Sequence, residues 1–200
     1  MSDDPLASLS TRASMLIRLK STDAQPRELA WEAFRTRYAR VITGFARNMG
    51  AKPQEIDDII QDVMLGFFNA MPAFEYDPAR GRFRGYLKTC TMHTIQRRAS
   101  KEYRFKSVPI ENVDPSDLEV DHLWNDIWER EQLKRAIDAV RDRYENNQTF
   151  QAFELVTFKH RSVDEAARDL GMNTSSVYKA KQRISEAIKQ ELQQLESDEG

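Results

Sequence analysis

A run of basic and aromatic side chains between Phe74 and Lys106 is the part of this sequence best suited to contact nucleic acid. It holds nine lysines and arginines against three acids, although the net charge of the whole chain is −2. Basic side chains neutralise phosphates, and aromatic faces stack on unpaired bases. The run therefore predicts binding of single-stranded or melted nucleic acid. The structural alternative is a solvated basic face beside a few core aromatic residues.

A second candidate site lies near the C-terminal end of the sequence. Ala167 is small enough for two helices to touch, and Gly171 permits the left-handed backbone of a tight turn. Val177 then fills the core that the two helices share. This three-point spacing predicts a helix-turn-helix. A plain helical hairpin with a solvated polar face is the alternative.

The outward face of the second helix of this motif is polar. With Val177 directed inward, a step of about 100° per residue places polar side chains on the opposite face. They are Ser175, Lys179, Gln182 and Glu186, flanked by Tyr178 and Arg183. Lys179, Gln182 and Arg183 can hydrogen-bond base edges or phosphates. Lys181 lies nearer the inward face and is predicted to contact a phosphate with its extended side chain.

Helices must position both sites, because apolar residues recur at spacings of three and four along most of the chain. Predicted helices begin at Pro26 and Pro53, and the first ends at Gly50. Further helices are predicted from about 86 to 98 and from about 123 to 144, followed by those of the helix-turn-helix. Ser162 and Glu165 have the spacing of a capping box. No segment shows the alternation of apolar and polar residues that is typical of a β-strand, so the predicted fold is all-α.

The predicted architecture is two small helical domains joined by a flexible acidic linker. A mobile extension with a short helix covers residues 1–25, and the first domain covers 26–106. The linker covers 107–122, the second domain 123–194, and a tail 195–200. Between Glu111 and Glu131 there are eight acidic residues and a single basic one, Arg130. This acidic segment separates a basic N-terminal part of the chain from a C-terminal part of mixed charge.

Composition excludes several classes of protein. No apolar run approaches the ~18 residues that a membrane span needs. The N-terminal sequence has no basic region followed by an apolar stretch, which predicts that no secretory signal is present. The single cysteine, Cys90, cannot form an intrachain disulfide and is most simply a small buried residue. We therefore expect a cytoplasmic protein without membrane insertion, metal or cofactor.

The order of these features resembles that of a bacterial RNA polymerase sigma factor of the extracytoplasmic-function class, which keeps only the second and fourth conserved regions. The most specific block is DDIIQDVMLGFFNAMPAFEYDPARGRFRGYL at 57 to 87. The resemblance extends roughly from Trp31 to Leu192. It departs at two points: Met92-His93 stands where the class often has Arg-Asn, and Tyr178-Lys179-Ala180 where Lys-Ser-Arg is common.

The resemblance implies roles for three groups of residues. Those implied to bind the polymerase clamp are Asp58, Gln61, Asp62, Met64 and Phe68. Those implied to bind the minus-ten element, in a segment that also helps to melt the promoter, are Arg80, Arg82, Phe83, Arg84, Tyr86, Lys88, His93, Arg97 and Arg98. Those implied to bind the minus-thirty-five element are Thr174, Ser175, Ser176, Tyr178, Lys179, Lys181, Gln182 and Arg183.

Each of these roles has a structural alternative. The acids in the first turns of the second helix also suit the positive end of the helix dipole, although this explains Gln61 and Asp62 less readily. His93 could be an ordinary surface histidine. Tyr86 could simply pack into the core.

The resemblance implies a subunit that binds core RNA polymerase, directs it to a subset of promoters and helps to open the duplex. It implies promoter DNA as a partner and makes an anti-sigma factor a candidate partner. One rival is a polymerase-independent helix-turn-helix regulator. A second is a nucleic-acid enzyme, but only Glu75 and Asp77 offer carboxylates in the basic loop. Since the sequence also lacks a glycine-rich phosphate loop and a catalytic triad pattern, we predict that the protein is not an enzyme.

Overall fold

The computed structural model describes residues 15, 18–70, 83–103, 118–145 and 147–199, and the side chains of Arg80 and Arg82 lie outside this set. The described residues form helices and connecting turns, with no strand, which confirms the predicted all-α fold. From Ala24 onward the described residues form seven α-helices. They are α1 (Ala24–Asn48), α2 (Ile56–Ala70), α3 (Phe83–Tyr103), α4 (Leu118–Arg143), α5 (Gln148–Thr157), α6 (Val163–Leu170) and α7 (Thr174–Glu199).

The chain divides into two compact units, one of residues 1–129 with 198–200 and the other of residues 130–197. The sequence placed the start of the second domain at 123 and the end of the linker at 122. The structure differs, because α4 begins at Leu118 and its first half contributes Val120, Trp124, Ile127 and Trp128 to the first core. Apolar periodicity revealed this helix, but it could not reveal which core the helix joins.

The first unit is held together by aromatic side chains from four helices. Phe34 of α1 stacks on Phe67 of α2 with ring centroids 4.6 Å apart, and Phe67 meets Phe83 of α3 edge to face at 5.7 Å. Trp124 of α4 packs edge to face against Phe45 at 5.0 Å. Such pairs add to the large area that aromatic residues bury. This core fixes the positions of the faces that α2 and α3 present.

Two apolar side chains that precede α1 in the sequence also belong to this core. Met15 and Leu19, predicted to lie in a mobile extension, are buried against the first unit. The short helix predicted in this extension had Met15, Leu16 and Leu19 on one apolar face, and Leu16 lies outside the described residues. Burial of these apolar groups anchors part of the segment that sequence polarity alone marked as mobile.

The second unit contains the capping and turn features that the sequence predicted. The backbone N–H of Glu165 donates to Ser162 Oγ at 3.3 Å, and the Ser162 N–H donates to Glu165 Oε2 at 2.9 Å, which completes the capping box of α6. Hydrogen bonds from Ser162 hold the pKa of the Glu165 carboxyl below its usual value. Gly171 has a φ of 63°, in the left-handed region that glycine adopts most readily. The α6–α7 turn therefore forms as the spacing predicted.

Candidate nucleic-acid and protein interface

Two acids of α2 and two arginines of α3 form one ion-pair network. Arg98 Nε donates to Asp62 Oδ2 at 2.8 Å, and Arg98 Nη1 donates to Asp58 Oδ2 at 3.2 Å. Arg97 Nη2 lies 3.7 Å from Asp62 Oδ2. The hydrogen bond with Asp62 is the largest influence that raises the pKa of the Arg98 guanidinium. The sequence assigned these acids and arginines to different surfaces, whereas the fold brings them into direct contact.

The outward face of α2 continues beyond these acids with exposed side chains. Gln61 is exposed, and the Phe68 ring is 47% exposed while resting against Trp31 with centroids 5.2 Å apart. Met64 is partly buried against the first core. Leu65, which sequence reasoning did not single out, is 55% exposed. Its spacing of three and four from the predicted residues was the signal that could have found it, because such residues share a helix face.

Phe83, which the resemblance implies to bind the minus-ten element, lies inside the aromatic core. Its side chain is 2% exposed and lies within ring-contact distance of Phe34, Tyr38, Phe67 and Tyr86. A ring enclosed in this way has no free face for a base. In this conformation Phe83 supports the start of α3 from within the core and is not itself a stacking surface.

Tyr86 lies at the edge of the same aromatic cluster. It is partly buried, with its ring centroid 5.8 Å from that of Phe67. Burial, and then a hydrogen bond with Cys90, raise the pKa of the phenol above its usual value. Burial likewise raises the pKa of the Cys90 thiol. Both groups therefore remain neutral at pH 7, and the ring of Tyr86 is both supported by the core and partly accessible.

The two basic residues at the start of α3 contact the first half of α4. Arg84 Nη2 donates to Asn125 Oδ1 at 2.5 Å, lies 3.9 Å from Glu129 Oε1, and its guanidinium lies 5.5 Å from the centroid of the Trp128 ring. Lys88 Nζ forms an ion pair with Asp121. Sequence reasoning missed these partners, although the run of acids after Glu111 was visible. A cleft of about 360 Å³ lies between the two helices here.

The remaining predicted residues of this unit lie on the exposed side of α3. His93 is exposed, and the side chain of Arg97 is 62% exposed despite its contact with Asp62. The basic and aromatic residues of the predicted minus-ten site thus fall into three environments. Phe83 and Tyr86 are buried or partly buried in the aromatic cluster. Arg84, Lys88 and Arg98 are half-buried and paired with acids or amides. His93 is exposed, as is Arg97 despite its ion pair with Asp62.

In the second unit, α7 presents the predicted polar face. Asn173 Oδ1 accepts from the Ser176 N–H at 2.7 Å and so caps the helix, and Val177 is buried against Ala167. Of the residues implied to bind the minus-thirty-five element, Ser176 is partly buried. Lys181, predicted nearer the inward face, is exposed like the rest, which are Thr174, Ser175, Tyr178, Lys179, Gln182 and Arg183.

One contact orients the end of this polar face. The Arg183 guanidinium lies 5.7 Å from the centroid of the Tyr144 ring, within the range of a cation–π interaction. Both residues line an open cleft of about 480 Å³ together with Lys179 and Gln182. Sequence reasoning did not assign Tyr144 to this site, because 39 residues separate it from Arg183 and no local pattern joins them.

The described residues contain neither a candidate membrane span nor a candidate metal cluster. Within these ranges no helix has both the length and the apolar character needed to cross a membrane. Nor do three or more histidine, cysteine, aspartate or glutamate side chains come together in the described part of the chain as a group able to hold a metal ion.

The comparisons with known proteins concern the first unit. No curated protein matches the chain significantly. Residues 34–105, which include the α2 and α3 faces described above, match the family model of sigma-70 region 2. This match supports a sigma factor of the sigma-70 family.

Proposed function

We propose that this protein is a sigma factor of the extracytoplasmic-function class. In this proposal it binds core RNA polymerase in the cytoplasm, directs it to a subset of promoters and assists melting, without catalytic chemistry of its own. The observation that carries the proposal is the match of residues 34–105 to sigma-70 region 2. That segment contains both an acidic and apolar face on α2 and a basic helix with a supported aromatic ring on α3.

The α2 face suits a protein partner. It combines the carboxylates Asp58 and Asp62 with the exposed apolar side chains Leu65 and Phe68. Interfaces concentrate binding energy in a few aromatic or apolar anchors surrounded by polar groups. We assign this face to core polymerase. The C-terminal unit is then a helix-turn-helix that reads the minus-thirty-five element with α7.

Phe68→Ala is expected to weaken binding to core polymerase by about 1–2 kcal/mol, as truncation of an interface anchor does. Because the ring is 47% exposed, this change should cost the fold less than truncation of a buried aromatic residue. A substitution of Asp62 would be a poorer test of this surface, because it would also break the ion pair between Asp62 and Arg98. Affinity is measured by fluorescence titration of labelled protein with core polymerase from the host bacterium.

Leu118→Ala is the matched control for this measurement. Leu118 is 74% exposed on α4 of the same unit and lies outside the proposed surface. It should leave the affinity unchanged. If Phe68→Ala binds as tightly as Leu118→Ala, the α2 face is not the polymerase surface. If the wild-type chain does not co-purify with core polymerase but binds duplex DNA, the polymerase-independent regulator is the better description.

Gln182→Ala is expected to relax sequence preference at one upstream position, at a cost of about 1–3 kcal/mol for the preferred base. Lys181→Ala should instead weaken binding evenly on all sequences and flatten the salt slope by about one unit. Both side chains are exposed on α7, so neither change should disturb the core. Competition binding with a set of single-base promoter variants distinguishes the two. Equal losses on every sequence for both variants would remove Gln182 from base recognition.

A further inference from the structure

Arg84 and Lys88, which the resemblance implies to bind the minus-ten element, already have partners in the protein. Arg84 Nη2 donates to Asn125 Oδ1 of α4 and lies 3.9 Å from Glu129 Oε1, and Lys88 Nζ forms an ion pair with Asp121. The pairing leaves the Lys88 side chain 14% exposed and that of Arg84 20% exposed. A nucleic acid strand cannot reach these groups fully while α4 holds them.

The first half of α4 is fixed in the unit that it contacts. Trp124 and Trp128 are buried among the side chains of α1, and a Cβ at Gly44 of α1 would lie only 3.0 Å from Ile127 Cγ2. Helical spacing places Asp121, Asn125 and Glu129 four residues apart along one face. Since the apolar face anchors the helix, the polar face is held against α3 without further ordering of the chain.

The contacts made by this polar face resemble those of a nucleic acid backbone. Carboxylate and phosphate oxygens are both anionic acceptors for lysine and arginine donors. The ring of Trp128 under the Arg84 guanidinium adds a stacking partner, as a base would. The cleft between the helices, lined by Arg84, Gly85 and Lys88 on one side, provides room for a strand once the α4 contacts open.

We propose that residues 118–129 of α4 are a built-in competitor of nucleic acid, holding Arg84 and Lys88 in the free protein until a phosphate backbone replaces Asp121, Asn125 and Glu129. This inference rests on the proposed function, which makes α3 a DNA-binding helix. It predicts that the free chain binds single strands more weakly than its basic residues alone would allow. The apparent affinity equals the intrinsic affinity multiplied by the fraction of molecules in which residues 118–129 do not hold Arg84 and Lys88.

The test measures binding of the full chain, without polymerase, to a fluorescent single-stranded DNA of mixed sequence across a salt series. Asp121→Asn is expected to tighten binding about two- to fivefold, the range for releasing one partly exposed ion pair. Its salt slope should steepen by up to about 0.7, since one more phosphate contact forms. Asn125→Ala should also tighten binding, and it does so without any change of charge.

Asp126→Asn is the charge-matched control. Asp126 is exposed on the same helix and takes part in neither contact, so its variant reports the general effect of removing one acid. Lys88→Ala introduced into Asp121→Asn should cancel the gain. Thermal melts followed by circular dichroism confirm that each variant remains folded at the temperature of measurement.

The outcomes separate the two proposals. If Asp121→Asn and Asn125→Ala bind no better than Asp126→Asn, while Lys88→Ala still impairs promoter opening by the polymerase complex, the competitor role is overturned and the proposed function stands. If Lys88→Ala alters neither strand binding nor opening, then the assignment of α3 to DNA fails, and the inference fails with it. A gain in both variants that Lys88→Ala reverses supports the competitor.

Discussion

Tyr86→Ala is expected to reduce promoter opening by the polymerase complex by about 5- to 150-fold, the loss of about 1–3 kcal/mol from one stacked base. A melting subunit must capture bases that have left the duplex, and unpairing a base costs a few kcal/mol. Tyr86 suits this task because Phe67 supports its ring while part of the side chain remains accessible. Opening is measured as permanganate reactivity of unpaired thymines near the start site.

Tyr86→Phe is the matched variant for this prediction. It keeps the ring and removes only the hydroxyl that hydrogen-bonds with Cys90, so opening should remain close to the wild-type level. Phe83→Leu controls for stability, because it loosens the same cluster from a fully enclosed position. A template with a pre-melted bubble should restore much of the activity lost in Tyr86→Ala, since the cost of unpairing is removed.

Two results would contradict the melting role of Tyr86. One is normal opening by a folded Tyr86→Ala protein. The other is a defect of the same size in Phe83→Leu, which would attribute the loss to the stability of the aromatic cluster. The affinity of the Tyr86→Ala protein for core polymerase should equal that of the wild type, because the Tyr86 ring lies outside the α2 face.

Trp124→Ala is expected to lower the free energy of unfolding of the first unit by about 3–5 kcal/mol, as truncation of a buried aromatic residue does. Trp124 is 1% exposed and packs against Phe45 of α1 and Trp128 of its own helix. The sequence had placed it at the start of the C-terminal domain. Urea unfolding measures the loss, and hydrogen exchange locates it. Amides of α1 and α3 should lose protection, whereas those of α5 and α6 should keep it.

Leu133→Ala is the control on the same helix. Its side chain is 42% exposed in the second unit, so the change should remain within about 0.5 kcal/mol. Loss of protection in α5 and α6 instead of α1 and α3 in the Trp124→Ala protein would contradict the packing of this residue in the first core. Such a result would instead assign the start of α4 to the C-terminal domain, as the sequence predicted.

Local features of this protein could be predicted from the sequence because their causes lie within a few residues. The helical period predicted the all-α fold. The Ser162 and Glu165 spacing predicted the start of α6, and Gly171 predicted the left-handed turn after it. The outward position of Lys179 and Gln182 followed in the same way from the inward position of Val177. Each of these features depends on backbone geometry and hydrogen bonds over a turn or two of helix.

Only the tertiary structure decided which side chains meet. Arg98 contacts Asp62 across 36 residues of sequence, Lys88 contacts Asp121 across 33, and Arg84 contacts Asn125 across 41. A helical period shows which face of a helix is apolar, but it does not identify the helix that covers that face. The aromatic core therefore determined that Phe83 is buried and that α4 lies against α3. It thereby decided that the predicted DNA-binding cations Arg84, Lys88 and Arg98 are half-buried by their partners, whereas Arg97 stays largely exposed.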